Sequence, residues 1–523
     1  MRFETFPTDP GLPQLKIARD LVLMREVFRR HLRPLTGKAY HIQECLLSRV
    51  SYHRAARCIL QYTLRLVEPG TGRERSQWVT GSIYTQDKAE QIWQRLREAD
   101  PGPDIPEAFQ TFAPVSYIPD LKMLVQVFPY DRRLPISPLL LAGPSSELEP
   151  LLLSRFGPGD WHIEAWNIEP ICYRPGAALV LRHAVQARDG ATGTEAEKRF
   201  YLKVYRDEKE EYQALQAFCG RADAAGEAFA VGQPIAHLSR LHAFLVEEAP
   251  GISLQQVLLQ GDDPVAAICK VARALAAFHQ CDVSTRRYHS HEDEVSDLKK
   301  KGALLESVCP QLRADIKEII NAVATGLAEV PPAPTHRALK AEHIFLDGDR
   351  VSFIALNAFA GADPVLDSAE VLARLAAMPS LSLLPRSRAR MAAQAFAKEY
   401  FAQVPKSWRS RLPFRYAGAN LHLAASIFRS QVPGWRDKVT ALVSEARDSL
   451  TGKVWWGKSF FAVLSNTIIL KQPISLSMKG VQQRQSTVRA TPQRSGTYVH
   501  GETSTYPHGD ETAPDMRSRR SGQ

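Results

Sequence analysis

The chain has 523 residues, 44% of them apolar, with 66 basic against 56 acidic side chains and a formal net charge of +10. That is enough apolar material for more than one core, while no run of eighteen apolar residues and no early leader-like stretch occurs, so neither a spanning helix nor a secretory signal is expected. The seven cysteines are odd in number, scattered and without a Cys-x-x-Cys pair, which excludes a disulfide framework or zinc knuckle and points to reduced thiols in the cytoplasm.

The basic residues mostly alternate with acids along helical stretches, and no DNA- or RNA-binding motif accompanies them, so nucleic acid is not an expected partner. A Gly-x-Ser-x-Gly elbow, a His-Glu-x-x-His helix, a phosphate loop of the Walker type and a dinucleotide fingerprint are likewise missing, so hydrolase and dehydrogenase readings lack support.

Slid along itself by 121 positions, the sequence lays His41-Ile42 on His162-Ile163, Tyr52 on Tyr173, Leu60 on Leu181, Tyr84 on Tyr205 and Glu90 on Glu211. At a shift of 120, Glu107-Ala108-Phe109 meets Glu227-Ala228-Phe229, Pro114 meets Pro234 and Leu121 meets Leu241. Together these matches indicate an internal duplication. Each copy reads as an extended run (Arg57 to Arg65; Ala178 to Gln186), a polar turn with glycine, a second extended run (Trp78 to Tyr84; Phe200 to Tyr205) and a charged helix.

After Phe244-Leu245-Val246-Glu247-Glu248-Ala249-Pro250-Gly251 the chain turns helical. Apolar residues at three- and four-residue spacing predict helices near 263–280, 311–329, 366–378, 385–403, 411–430 and 434–449. Tyr288-His289-Ser290-His291-Glu292-Asp293-Glu294 holds metal-ligand types, but neighbouring side chains rarely converge on one ion, so a solvated polar connection is expected there. The apolar stretch Val454 to Leu470 is expected to pack on its own domain, and the polar residues beyond it to form a disordered basic tail.

The densest chemistry lies in Thr335-His336-Arg337-Ala338-Leu339-Lys340-Ala341-Glu342-His343, followed by the hairpin Ile344 to Ile354 around Asp347-Gly348-Asp349, and by Ala355-Leu356-Asn357. With the β-rich segment and the Pro-Gly hinge before it, this resembles the aminoglycoside phosphotransferase and choline kinase family over roughly residues 155–450. The resemblance implies an α+β, protein-kinase-like two-lobed fold: a small, mainly antiparallel β lobe and a helical large lobe, preceded here by a duplicated small-lobe-like α+β domain. The boundaries expected are 1–150, 151–250, 251–470 and a tail 471–523.

The resemblance also implies roles. Tyr173-Arg174-Pro175-Gly176 is similar to the turn over nucleotide phosphates, Lys203 to the third-strand lysine on those phosphates, and Glu211 (or Glu210) to the carboxylate orienting it; Glu247 and Glu248 open the hinge that meets adenine. In the catalytic loop the family has Asp two residues after the histidine and Asn five beyond that; after His336 these places hold Ala338 and His343. Ala355 stands where the main magnesium-binding Asp belongs, Asn357 where relatives often have a second acid, and Asp363-Pro364 with Asp367 resembles a segment whose last carboxylate tethers the catalytic loop.

A methyl group neither accepts a proton nor binds magnesium, and loss of a general base costs about 10²–10⁴ in rate. The sequence therefore points to a pseudokinase that binds ATP without ordinary magnesium chemistry, or that acts by protein interaction. The competing reading is an active phosphotransferase for a small hydroxylated substrate, with His343 as base and Glu342, Asp347, Asp349, Asn357, Asp363 and Asp367 as substitute magnesium ligands. Ser82 occupies the Lys203 position in the first copy, which is read as a packing or regulatory lobe.

Overall fold

In the computed structural model the chain begins with a short lobe whose helix α1 (Leu21–His31) is capped by Asp20, the carboxylate accepting from the Val22 and Leu23 amides. Met24 and Phe28 of α1 are buried, and Phe28 meets Tyr62 edge-on with ring centroids 5.1 Å apart. Strands β1 (His41–His53), β2 (Arg57–Val67) and β3 (Glu74–Tyr84), helix α2 (Lys88–Arg97), then β4 (Val115–Ile118) and β5 (Met123–Val127) follow. The structure describes residues 8–451 except 36, 38, 98–104, 135, 206–207, 223–227 and 261–263; the apolar stretch from Val454 and the tail from 471 lie outside them.

The second lobe runs through β6 (Trp161–Arg174), β7 (Ala178–Asp189), β8 (Glu195–Tyr205), helix α3 (Glu208–Ala222), β9 (Pro234–Leu238) and β10 (Ala243–Glu247). The two sheets share one order, β1-β2-β3-β5-β4 and β6-β7-β8-β10-β9, antiparallel throughout, with the helix after the third strand in both. Sequence periodicity missed β1 and β6. Both are interrupted by register shifts, at Ile42/Glu44 and Leu47/Arg49 and at Ile163/Ala165 and Pro170/Cys172, and each shift breaks the two-residue alternation that marks a strand.

The likeness extends to the tight turns. Ala55, between β1 and β2, has φ 52°, and Gly176, between β6 and β7, has φ 70°. Asp9 reaches the first turn, its Oδ2 accepting from the Tyr52 hydroxyl and the Ala55 amide, both at 2.8 Å. Asp131 does the same in the second, accepting from the Tyr173 hydroxyl at 2.8 Å and the Gly176 amide at 2.5 Å.

The large lobe contains α4 (Pro264–Gln280), α5 (His291–Val308), α6 (Arg313–Gly326), the hairpin β11 (Ile344–Asp347) and β12 (Arg350–Phe353), then α7 (Val365–Ala377), α8 (Arg386–Gln403), α9 (Leu412–Arg429) and α10 (Trp435–Leu450). The mixed α+β architecture expected from the sequence is present, and the periodic helices lie within a few residues of their expected bounds. Helix α5 corrects the expectation of a solvated polar connection. Ser290 accepts from the Asp293 amide while Asp293 accepts from the Ser290 amide, a capping box that starts a helix, and His289 and Glu294 are buried.

Three of the four buried clusters among the described residues join these parts. One joins the first sheet to the large lobe, with Tyr62, Leu64 and Val79 in the same buried cluster as Leu305, Ile316, Phe428 and Val439. Another covers the outer face of the second sheet, where Leu181, Phe200, Leu202 and Leu245 pack on Phe128, Leu134, Leu140 and Leu152 from the connection between lobes. The third lies under α3, where Phe218 stacks on Phe278 at 4.9 Å and meets Phe359 edge-on. None of the seven cysteines, all of them among the described residues, is joined in a disulfide. Among the described residues no helix is long and apolar enough to cross a membrane.

The lobes meet at the hinge. Gly251 has φ 87°, and a Cβ placed there would stand 2.0 Å from the Leu346 carbonyl oxygen, so only glycine lets Ile252 pair with Leu346 of β11. Gly251→Ala is expected to destabilise by about 2 kcal/mol or more, read as a lower midpoint in thermal unfolding. An unchanged midpoint would mean the hinge backbone relaxes freely.

Candidate functional site

Strand alternation puts Tyr201, Lys203 and Tyr205 on one face of β8. Lys203 is 8% exposed, and its Nζ donates to Glu211 Oε1 at 2.7 Å. Glu211 stands in the first turns of α3 and is buried, while its neighbour Glu210 turns outward to Arg287 at 2.9 Å. The structure thus brings Lys203 to Glu211 and not to Glu210. The second Glu211 oxygen is buried without a hydrogen-bond partner. Lys203 Nζ also lies 5.5 Å from the Phe244 ring centre, across from it in the β8–β10 register. In the first lobe the equivalent place is Ser82, buried and opposite Leu124, so no cation stands there.

The hinge acids are engaged. Glu247 pairs with Arg155, and Glu248 accepts from the Tyr201 hydroxyl at 3.1 Å. The β6–β7 turn, assigned by resemblance to nucleotide phosphates, has its Gly176 amide taken by the Asp131 carboxylate. A Cβ at Gly176 would meet Arg133 at 3.0 Å, so the segment carrying Asp131 closes on the turn. A carboxylate in that place disfavours a phosphate by like charge.

The catalytic-loop region is built around Asp367, which is fully buried. Its Oδ2 accepts from the His336 amide at 2.6 Å and faces His279 Nε2 at 3.0 Å, while Oδ1 accepts from the Arg337 amide at 2.7 Å. His279 reaches the Tyr400 hydroxyl at 2.7 Å through its other nitrogen. Burial pushes the Asp367 carboxyl up, but the hydrogen bond and charge of His279 and the His336 amide outweigh it and hold it below the usual range. Arg337 is thereby fixed at φ 63°, and Ala355 stands at φ 63° and ψ 52°. Both are left-handed conformations that side-chain-bearing residues seldom adopt.

Within this frame Ala338 and Ala355, which the resemblance places where a base and a metal ligand would stand, carry methyl groups. Ala338 is 3% exposed, and its carbonyl faces His343 Nδ1 at 2.9 Å. His336 Nε2 lies 2.8 Å from the Ile354 carbonyl, and the two imidazoles stack with centroids 6.0 Å apart. Burial, with help from Lys340, holds the His343 imidazole well below its ordinary pKa, so it is a neutral structural group at pH 7.

Of the acids offered as substitute ligands, all but Asp347 are engaged elsewhere. Asp349 pairs with Lys270 at 2.7 Å and Glu342 with Lys340 at 3.6 Å, while Asp363 is clamped by Arg411 and Arg415, each at 2.9 Å. Asn357 is buried, and its carbonyl accepts from Arg287 at 3.0 Å. Among the described residues no group of three or more His, Cys, Asp or Glu side chains is arranged to hold a metal ion. The methyl groups of Ala338 and Ala355 offer no oxygen to a metal ion, and the Lys203 ammonium is turned to Glu211.

Several participants escaped sequence reasoning. Asp9 and Asp131 each begin an Asp-x-x-Leu pattern, Asp9 to Leu12 and Asp131 to Leu134, 122 positions apart and so one outside the repeat frame. His279 and Glu294 are met only after long-range folding. Glu294 is buried between His289 at 3.0 Å and His422 at 2.9 Å; burial raises its pKa, and these two histidines more than reverse that.

A model of a phosphotransferase enzyme family matches residues 187–356, which holds Lys203, Glu211, the hinge, Ala338 and Ala355. No curated protein matches the chain. Solved structures with similarity to it include an aminoglycoside phosphotransferase bound to AMP-PNP and hygromycin B, 14% identical, covering 60% of this chain and 100% of its own, with a TM-score of 0.39. They also include a choline kinase from Cryptosporidium parvum (10% identity, 59% and 96% covered, TM-score 0.39). A choline/ethanolamine kinase family protein from Mesorhizobium loti stands at 12% identity, 58% and 92% covered, with a TM-score of 0.36.

Asp367→Asn is expected to cost about 3 kcal/mol or more, since it removes a buried charge on which two amides and a histidine converge. The carboxyls of Asp363, Asp367 and Glu294 are all held down in the folded state, so their stabilisation is present above about pH 4 and is lost as pH falls through their lower folded values. Unfolding midpoints from pH 6 to pH 2 should drop steeply below pH 4 in the parent and less steeply in Asp367→Asn. Parallel curves would contradict the role given to Asp367.

Proposed function

From the match of residues 187–356 to the phosphotransferase enzyme family, we propose that this protein is a catalytically inert relative of ATP-dependent phosphotransferases, a pseudokinase that works by binding. The observation that carries the proposal is the pair of methyl groups, Ala338 and Ala355, set in a catalytic-loop frame whose supporting hydrogen bonds are all in place. A frame held in left-handed backbone at two positions is costly to maintain, and here it positions no base and no metal ligand. Lys203, paired with Glu211 beside the hinge, remains suited to holding a nucleotide without magnesium. Asp131 at the β6–β7 turn lowers what the phosphates contribute, so binding is modest and nucleotide acts as a gate on lobe closure. The first lobe, packed on the large lobe, is the surface offered to a protein partner.

The competing reading, an active phosphotransferase with displaced residues, requires several acids to be free for metal. Their ion pairs with Lys270, Lys340, Arg411 and Arg415 argue against it.

Thermal unfolding with ATP, in magnesium or in EDTA, tests the proposal on the parent chain and on Lys203→Ala. A site filled at a hundred times its dissociation constant adds about 2.7 kcal/mol, enough to move the midpoint by a degree or more. The expected result is a shift that survives EDTA, disappears in Lys203→Ala and accompanies no ATP consumption. Because Lys203→Ala leaves Glu211 buried without its cation, each shift is read against that variant's own baseline. Turnover of ATP that depends on both magnesium and Lys203 would overturn the proposal in favour of an enzyme; the absence of any shift would remove the nucleotide and leave protein interaction alone. The double variant Ala338→Asp/Ala355→Asp should convert the shift into a magnesium-dependent one.

A further inference from the structure

The face of the first sheet that corresponds to the Lys203 face of the second is covered, and part of its cover is the second lobe itself. Ile59 stands opposite Ser82 in the β2–β3 register, as Val180 stands opposite Lys203 in β7–β8. Strand alternation puts Trp78 and Thr80 on the Ser82 side, together with their cross-strand neighbours Thr63 and Gln61. Onto this side comes Tyr173, the last residue but one of β6. Gln61, 5% exposed, donates through Nε2 to the Tyr173 carbonyl at 3.0 Å, and the Trp78 indole stacks on the Tyr173 ring with centroids 5.8 Å apart. The same indole meets Phe128 edge-on at 5.3 Å, and Phe128 lies 5.0 Å from Tyr173. Three rings, from β3, the connection between lobes and β6, thus close into one cluster.

The connection is pinned as well. Gln77 of β3 donates through Nε2 to the Phe128 carbonyl at 2.8 Å, and its Oε1 accepts from the Thr111 hydroxyl at 2.8 Å. Three residues further on, Asp131 Oδ1 accepts from the Arg133 and Leu134 amides at 2.8 and 3.1 Å, which leaves Oδ2 for the Tyr173 hydroxyl and the Gly176 amide. The first lobe therefore fastens the segment that carries Asp131 at Phe128, and fastens the target of Asp131 at Tyr173. A turn amide bound to a carboxylate is not open to a phosphate, and the carboxylate repels one.

We propose, on the nucleotide reading of the second lobe, that the first lobe is an intramolecular brake on that lobe: Gln61, Gln77 and Trp78 hold the β6–β7 turn closed on Asp131, and loosening this contact opens the turn to phosphate. The ties run through side chains of the first sheet, so a change in that sheet reaches the turn without passing through Lys203 or the hinge.

Hydrogen exchange over residues 173–178 of the full chain, with calorimetric titration of ATP in EDTA, tests this on the parent, Gln61→Leu and Asp131→Asn. Gln61→Leu removes the donor to Tyr173, and Asp131→Asn leaves one acceptor oxygen where two are used. In both variants the 173–178 segment should exchange about tenfold faster or more, the worth of one charge-assisted hydrogen bond, while the amides of β2 and β3 keep the parent's protection. Should Gln61→Leu loosen β2 and β3 as well, Asp131→Asn, outside the first sheet, carries the comparison. ATP should bind about tenfold more tightly in both variants, and the double variant should gain little beyond the better single one, because both act on one turn. Unchanged exchange in the variants, or faster exchange with ATP affinity unchanged or lowered, would overturn the brake while leaving nucleotide binding in place. Titrations flat in every chain would overturn the nucleotide reading and the brake together.

Discussion

The carboxylate of Asp367 is the point on which the lower half of the molecule depends. One buried side chain gathers the amides of His336 and Arg337 and the imidazole of His279, and so ties α7 to the catalytic-loop segment and, through His279 and Tyr400, to α4 and α8. A charge in that position is tolerable only because every direction from it is filled by a donor. The loop shape is therefore specified from below, by the helices, and not by the residues at its tip. Ala338 and Ala355 sit in that shape without holding it, since neither side chain can make a hydrogen bond.

The tight turns of the two β lobes show the same economy. Asp9 and Asp131 each collect a tyrosine hydroxyl and a turn amide, so that a short acidic segment ahead of each sheet fixes its first hairpin. In the first lobe that hairpin leans on the large lobe; in the second it closes the region that the resemblance would give to phosphates.

Much of this was legible in the sequence where the physics is local. Helices with strong apolar periodicity, such as those ending at Gln280 and Arg429, show their buried faces directly. The hairpin around Asp347-Gly348-Asp349 is announced by its turn residues, whereas the roles given to positions 338 and 355 rest on the family resemblance. What was not legible depends on partners distant in the chain. The bulged strands β1 and β6 lose their alternation. His289 and Glu294 look like a solvated loop until His422 arrives 128 residues later to share the carboxylate. The choice between Glu210 and Glu211 turns on which face of α3 is inward, and Arg287 decides the other one's fate.

The core shared by the first sheet with α5, α6, α9 and α10 has a consequence for how the chain is made. Tyr62, Leu64 and Val79 are synthesised well before Phe428 and Val439, which belong to the same buried cluster. At roughly 5–20 residues per second the apolar face of the first lobe waits some tens of seconds for its lid. The first lobe is thus synthesised well before the large-lobe helices that complete the buried cluster it belongs to.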